Sequence, residues 1–214
     1  MNIIRIQAGD KIYSSNAYLV LGDWKRIEDV NTLIDVGSDP RIVDKITDMN
    51  TGIGKRKVEQ VILTHSHSDH TAALAAVKKA FGPKVYAFSP HTDGVDYILK
   101  HGDRLRMGDR ICDILHFPGH SDDSIVIHNA EEGDLFVGDT PVIIQAVGGT
   151  YDQRFRENME ALCRRNIQTI FFGHGDPLLT GAKQTLMASL RIIRQTQELP
   201  DGRALRQALS IERL

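Results

Sequence analysis

Short runs of apolar residues, separated by turn residues, dominate the first third of the chain and recur beyond it. Runs of four to eight such residues bounded by Gly, Pro, Asn or Asp are typical of β-strands. The pattern predicts strands at residues 3–6, 16–21, 32–36, 58–64, 84–88, 111–117, 124–128, 134–137 and 169–172.

Helices are predicted between these clusters of strands. The clearest covers residues 71–81, is rich in Ala and Leu, and is closed by Gly82-Pro83, a frequent helix stop. Pro40 suits the first turn of another helix, because its missing N–H has no intrahelical partner there. The predicted helices are residues 40–49, 71–81, 90–100, 152–165 and 182–197.

The order of these elements predicts a single α/β domain over residues 1–214, with the last helix or helices (about 181–214) packing on it. No linker rich in Pro, Gly or Ser divides the chain. The strands form meander-like clusters, which differs from the strict β-α alternation of a doubly wound sheet. We therefore expect two β-sheets with helices outside them.

Composition is ordinary for a globular protein, with 41% hydrophobic and 25% charged residues. A net charge of −2 gives no electrostatic signal for nucleic acid or an anionic membrane. The N-terminus lacks a secretion signal, and no apolar run is long enough to cross a bilayer. These features favour a cytoplasmic enzyme that acts on a small molecule. The two cysteines, Cys112 and Cys163, are expected to be reduced.

The strongest chemical signal directly follows the apolar run 61–63 and reads His65-Ser66-His67-Ser68-Asp69-His70. Packing a core does not require three imidazoles and a carboxylate within six residues. Zn, Fe and Mn sites in proteins do use these ligands, and several must converge on one point. The motif therefore predicts a metal site.

Six residues cannot complete such a site, so further ligands are expected at the ends of later strands. His120, Asp139 and His174 each follow an apolar strand and come directly after a glycine. Glycine there lets the backbone turn sharply and approach the site closely. Taken alone, either histidine could belong to the core and Asp139 could belong to a turn. In this pattern, we interpret all three as ligands.

Together with residues 15–19 and 33–37, these motifs resemble those of the metallo-β-lactamase superfamily, and most closely its glyoxalase II-like branch. The resemblance extends over nearly the whole chain. It implies a four-layer αββα sandwich of two mixed β-sheets flanked by helices, with the site at one edge of the sheets.

The same resemblance implies a centre of two divalent metal ions, with zinc expected and Fe or Mn as alternatives. One ion would be held by His65, His67 and His120. The other would be held by Asp69, His70 and His174, with Asp139 bridging the two. Asp35 matches a position that hydrogen-bonds a ligand histidine, although an ordinary turn or helix-capping aspartate is the alternative.

The resemblance further implies a hydrolase in which a hydroxide shared by the two ions attacks a carbonyl carbon, with Asp69 helping to orient it. The expected substrate is a small ester, thioester or lactone. Glyoxalase II enzymes bind glutathione with a basic residue and a tyrosine in the loop after the bridging aspartate. Here Tyr151 matches the tyrosine, while Gly149 replaces the basic residue. Tyr151 is thus a candidate substrate contact, or else a packing residue.

Other functions remain open from the sequence. A mononuclear Fe(II) persulfide dioxygenase-like enzyme would need only His65, His120 and Asp139, which are a subset of the ligands present. A phosphodiesterase or ribonuclease would also suit two metals, but the acidic balance disfavours it. A binding protein without activity is disfavoured because all seven ligands are kept. A homo-oligomer is possible through the region of Ile192 and Ile193 in the last helix.

Overall fold

The computed structural model describes residues 1–9 and 12–198 and contains two β-sheets. The strands of the first sheet lie in chain order: β1 (Asn2–Ile6), β2 (Ala17–Leu21), β3 (Thr32–Ile34), β4 (Gln60–Ile62), β5 (Lys84–Ala87) and β6 (Tyr97–Ile98). The pairs β1–β2 and β2–β3 are antiparallel, and the remaining pairs are parallel. This sheet is therefore mixed.

The second sheet contains β7 (Arg104–Met107), β8 (Arg110–His116), β9 (Ile125–Asn129), β10 (Asp134–Gly138) and β11 (Thr169–Phe172). Its spatial order is β11-β10-β9-β8-β7. Only β10 and β11 pair in parallel, while the other three pairs are antiparallel. As a result, β8, β10 and β11 all point in the same direction.

Helices cover the outer face of each sheet. They are α1 (Ile42–Asp48), α2 (Ser68–Thr71), α3 (Leu74–Phe81), α4 (Gln153–Cys163) and α5 (Ala182–Glu198). Residues of α1 and α3 share a core cluster with the first sheet, and residues of α4 and α5 share another with the second. The predicted four-layer αββα arrangement is confirmed.

Successive side chains along each strand point to opposite faces of the sheet. One face packs against helices and the other against the second sheet, so both faces are apolar. In β2, Leu19 and Leu21 join the helix-facing core, while Tyr18 and Val20 join the core between the sheets. In β10, Leu135 faces the helices and Phe136 faces the other sheet. Strands buried on both faces read as continuous apolar runs, which is how the sequence predicted them.

The predicted helix at residues 90–100 is wrong. In its place, Gly94 adopts a left-handed φ of 85°, and the chain then forms β6 beside β5. The carboxylate of Asp96 accepts a hydrogen bond from the N–H of Val85 and pairs with Lys78 at 2.9 Å. These tertiary bonds outweigh any helical preference of the segment. Strand β7 is an addition that the sequence analysis did not predict.

Within the described residues, the last helix packs on its own domain, since Ile193 is buried in the core of the second sheet. The predicted continuation over residues 199–214 lies outside the described residues. Cys112 and Cys163 are buried and free of disulfides, as expected for reduced cysteines. No helix in the described part of the chain has the length and apolar character needed to span a membrane.

Gly108 links the two sheets and is expected to tolerate no side chain. Its φ is 55°, and a Cβ added there would lie 2.7 Å from the backbone of Leu21. Gly82 has a similar φ of 60°, but nothing lies within 4 Å of a Cβ added there. Alanine would be strained at either position, because both glycines have a left-handed backbone conformation. Only Gly108→Ala would in addition force two backbone segments apart.

We predict that Gly82→Ala lowers the free energy of unfolding by about 1–2 kcal/mol and Gly108→Ala by about 3 kcal/mol or more. Urea unfolding of the two variants and the parent protein measures both values. Equal losses in the two variants would contradict the close approach of the sheets at Gly108.

Candidate metal centre

The candidate ligands follow strands that end at one edge of the sandwich. β3 and β4 run in parallel, so Asp35 and His65, which follow them, emerge at the same edge of the first sheet. In the second sheet, β8, β10 and β11 point the same way and lead to the other three ligands, His120, Asp139 and His174. A hydrogen bond of 2.9 Å from the Ile125 N–H to the Thr64 carbonyl joins the two sheets at this edge.

The short helix α2 presents the remaining ligands of the 65–70 motif. His67 is its N-cap residue, and Asp69 and His70 lie within it. Backbone bonds fix the helix from both sides. The N–H of Ser15 donates to the Asp69 carbonyl, and the N–H of Val36 donates to the His70 carbonyl, each at 3.0 Å.

The first group of candidate ligands consists of three histidines, His65, His67 and His120. Their ligand atoms all lie within 4.8 Å of one another. His120 Nε2 lies 2.9 Å from His67 Nδ1. Ring nitrogens that point at each other from residues far apart in sequence offer lone pairs to one small volume, which is the arrangement that a transition-metal ion needs.

The second group consists of Asp69, His70, Asp139 and His174, whose ligand atoms also lie within 4.8 Å of one another. His174 Nε2 lies 3.0 Å from Asp69 Oδ2. Gly173 makes this approach possible, because a Cβ there would lie 2.2 Å from Asp139 Oδ1. The interpretation of the glycine before His174 agrees with this geometry.

Asp139 belongs to the second group and also faces the first. Its Oδ1 is 3.3 Å from His70 Nε2, and its Oδ2 is 3.7 Å from His120 Nε2 and 3.5 Å from His174 Nε2. One carboxylate therefore contacts a histidine of the first group and two of the second. This is the geometry expected of a bridging ligand.

Two buried nitrogens test whether the residues fit a metal ion. Within the described residues, His65 Nε2 is buried without a hydrogen bond, and the buried His70 Nε2 makes no hydrogen bond beyond its ion-pair contacts with Asp139 at 3.3 Å and Asp69 at 3.8 Å. A buried polar atom without a partner costs about 1–3 kcal/mol. Both atoms belong to the ligand groups, so a bound cation would supply the missing partner. The residues fit a metal centre.

The two buried histidines differ in charge. Burial lowers the pKa of His65 to about 4, and the neighbouring His70 acts in the same direction. Burial opposes charge on His70 as well, but the carboxylates of Asp35 and Asp139 outweigh it and raise the pKa of His70 to about 10. A cation bound at His70 would replace a proton, since a metal-ligating imidazole must be neutral.

Asp35 connects the candidate centre to the first sheet. Its Oδ1 accepts from the Thr64 N–H, and its Oδ2 accepts from the Thr64 hydroxyl, both at 2.8 Å. The same Oδ2 lies 2.7 Å from His70 Nδ1. Asp35 has a φ of 53°, a conformation that Asp and Asn tolerate better than most residues. The predicted contact with a candidate ligand histidine is present.

Comparison with known proteins shows which family and which relatives the chain is similar to. The sequence profile of the metallo-beta-lactamase superfamily matches residues 11–108. The hydroxyacylglutathione hydrolase of Cereibacter sphaeroides is 37% identical over 87 residues, which are 39% of this chain and 34% of that protein. The hydroxyacylglutathione hydrolase of Aeromonas salmonicida is 27% identical over 84% of this chain and 66% of its own length. The chain thus spans about a third to two thirds of these curated relatives.

Solved structures share the fold. The BLEG-1 B3 metallo-beta-lactamase superposes with a TM-score of 0.63 at 22% identity, covering 90% of this chain and 99% of the other. ETHE1 from Myxococcus xanthus gives a TM-score of 0.62 at 19% identity, covering 94% and 92%. The chain is therefore similar to the metallo-beta-lactamase superfamily in sequence over residues 11–108 and in fold over most of its length. At these identities, the solved structures show a shared fold and nothing about the substrate of this chain.

Several residues that support the centre were missed in the sequence analysis. Thr64 bonds Asp35, as described above. The side-chain amide of Asn16 donates to the carbonyls of Phe172 at 3.0 Å and Gly175 at 2.8 Å, which surround His174. Backbone acceptors leave no trace in a sequence. Asn16 lies in the segment 15–19 that contributed to the resemblance, but nothing in the sequence indicated these two bonds.

A second supporting contact involves the loop that carries His120. The buried His116 lies at the end of β8, and its Nε2 donates to the Asp122 carbonyl at 2.7 Å. Arg154 donates to His116 Nδ1, which fixes this tautomer because guanidinium cannot accept. The bond from His116 thereby ties the His120 loop to the end of β8 through Asp122.

Tyr151, the candidate substrate contact, belongs to neither group of candidate ligands. Its ring stacks on Phe155, with centroids 5.5 Å apart, and it packs against the core of the second sheet. A role in contacting substrate stays a prediction. By contrast, the exposed Tyr13 stacks on the ring of His174 with centroids 5.2 Å apart, a contact that the sequence did not suggest.

We predict that Asp35→Asn weakens divalent-metal binding by about 10–100-fold. The Asp35 carboxylate faces three hydrogen-bonding groups, two from Thr64 and one from His70, so an amide nitrogen on either side would oppose a donor. Asparagine tolerates the left-handed backbone, so the fold is expected to persist. Competition with a chromophoric chelator for Zn²⁺ measures the affinity.

Asp39→Asn is the matched control, because Asp39 is equally buried but pairs with Arg41 instead of a candidate ligand. Its metal affinity should equal that of the parent protein. An unchanged affinity in Asp35→Asn would contradict the role assigned to Asp35.

Proposed function

We propose that this protein is a metal-dependent hydrolase of the metallo-beta-lactamase superfamily, and that it cleaves a small ester, thioester or lactone at a centre of two divalent ions. Zinc is the proposed metal, and a small molecule is the proposed partner. The observation that carries the proposal is the position of Asp139, whose carboxylate contacts His120 of one ligand group and His70 and His174 of the other.

Each of the two ligand groups would hold one ion. His65, His67 and His120 would hold one ion, and Asp69, His70 and His174 would hold the other, with Asp139 shared. When bound, divalent ions lower the pKa of water to about 7 and polarise a carbonyl oxygen. That chemistry suits acyl transfer to water.

The chain's own side chains would orient the reactants. Asp69 Oδ2 faces the ligand atoms His174 Nε2 at 3.0 Å and His70 Nε2 at 3.8 Å, so Oδ2 would bind the ion, and Oδ1 would accept a hydrogen bond from the attacking water. Asp35 holds the His70 ring through Nδ1 at 2.7 Å, which keeps Nε2 directed toward Asp139. Asp69 would thus fix the orientation of the water, and Asp35 that of the His70 ring. Such positioning accelerates a reaction most when the groups are rigidly held.

The named relatives support hydrolysis of a thioester. Both aligned proteins named above are hydroxyacylglutathione hydrolases. The present chain has Gly149 where glyoxalase II enzymes carry a basic residue for glutathione. We therefore propose acyl-ester or thioester hydrolysis without proposing glutathione as the leaving group.

The metal content of the purified protein distinguishes the proposed two-metal hydrolase from a dioxygenase with a single iron. A dioxygenase-like centre would use His65, His120 and Asp139 and leave the remaining candidate ligands without metal. Elemental analysis of the purified protein should give about two Zn per chain and no dependence of turnover on O₂. One Fe per chain with consumption of O₂ would replace the hydrolase proposal with an oxygenase.

We predict that His67→Ala and Asp139→Ala lower kcat for ester or thioester hydrolysis to below about a thousandth of the parent value, because each change removes several kcal/mol of metal-based stabilisation. The circular dichroism spectrum should be unchanged. His91→Ala, which changes an exposed histidine outside both ligand groups, is the control and should keep parent activity. Near-normal turnover in either ligand variant would overturn the assignment.

A further inference from the structure

A cavity of about 330 Å³ opens beside the candidate metal centre at the ends of β10 and β11. This volume lies at the small end of the range for ligand-binding pockets. On one side, it is lined by three of the candidate ligands, His120, Asp139 and His174. Its other side is an apolar wall, defined here as Pro141, Val142, Ile143 and Phe172. A group bonded to the reacting carbon would lie against this wall.

The wall offers no charged partner to a substrate. Residues 140–151 contain no Asp, Glu, Lys or Arg. Among the described residues that line the cavity, Asp139 is the only carboxylate, and lysine and arginine are absent. A carboxylate or phosphate buried here would lose hydration without gaining a salt bridge, which disfavours its binding.

Arginines on neighbouring segments are engaged elsewhere. Arg5 pairs with Asp176 at 2.7 Å, just beyond His174. Arg154 donates to His116, and Arg156 donates to the carbonyl of Tyr151. Their bonds to the protein would have to break before they could bind an anionic substrate.

The apolar wall is fixed in place before any substrate binds. Val142 is 1% exposed and belongs to the core of the second sheet, on which Ile143 also packs. The next residue, Ile144, donates its N–H to the hydroxyl of Ser189 on α5 at 2.9 Å. A preformed apolar surface binds an apolar group without a cost for ordering the loop.

We propose that the apolar wall is an acyl-binding surface, and that the preferred substrates carry an uncharged, apolar acyl group of several carbon atoms. This inference rests on the proposed hydrolase function and names its substrate class. The acyl group is assigned to the wall because a departing thiolate or alkoxide carries negative charge. An apolar surface stabilises such a charge poorly, whereas solvent stabilises it well.

The test uses the zinc-loaded full chain and two series of thioesters. The first series keeps N-acetylcysteamine as the leaving group and lengthens the acyl group from acetyl to pentanoyl, with succinyl as a charged member. The second keeps acetyl and lengthens an alkanethiol leaving group over the same range. Each methylene that leaves water is expected to raise kcat/KM about fourfold in the acyl series only.

Two variants locate the effect on the wall. Ile143→Thr should lower the ratio of kcat/KM for pentanoyl over acetyl at least about fourfold, the equivalent of one methylene. Ile111→Thr is its matched control, because Ile111 is exposed on β8, does not line the cavity, and should keep the parent ratio. Pro141→Arg places a positive charge at an exposed position of the wall. It should lower the ratio of kcat/KM for butyryl over succinyl about tenfold relative to the parent protein.

The outcomes separate the two proposals. If neither the thioesters nor the matching oxygen esters and lactones are cleaved, the proposed function is overturned. If kcat/KM does not depend on the length of the acyl group, or rises only with the length of the leaving group, the acyl-binding surface is overturned. The hydrolase proposal would then still stand. If Ile143→Thr unfolds, the selectivity of Pro141→Arg decides, and an unchanged preference for butyryl in that variant counts against the proposal.

Discussion

The buried carboxylate of Asp35 is the interaction on which the candidate centre depends. It lies at the end of β3, accepts two hydrogen bonds from Thr64 at the end of β4, and contacts His70 in α2. Three segments are thereby held by one side chain. A buried carboxylate is stable only when its oxygens are satisfied, so the same bonds that stabilise Asp35 also fix the direction of the His70 ring.

Around this contact, the two sheets contribute unequal parts. The first sheet and α2 supply four ligands from six consecutive residues, 65–70, whereas the second sheet supplies one ligand from each of three separate loops. Asn16 and His116 each hold one of those loops by bonding backbone carbonyls. The apolar wall belongs to the loop after Asp139, so reactivity and the proposed selectivity are carried by neighbouring residues of the same loop.

The sequence predicted the layers and the seven candidate ligands because both depend on local signals. Strands buried on two faces read as apolar runs, four of the ligands lie within the six residues 65–70, and the other three each follow a glycine at a strand end. The helix predicted at residues 90–100 failed because Asp96 bonds Val85 and Lys78, which are distant in sequence. The contacts of Thr64, Asn16 and His116 could not be predicted either, since each pairs with a residue or carbonyl that only the fold brings near.

The division of ligands between the sheets has a thermodynamic consequence. Cations held by His65 and His70 on one side and by His120 and His174 on the other would tie the two sheets together. Because such ions would bind the native chain far better than the unfolded one, mass action would add their binding free energy to native-state stability. The supply of metal in the surroundings would then govern how long the native protein persists, independently of any turnover.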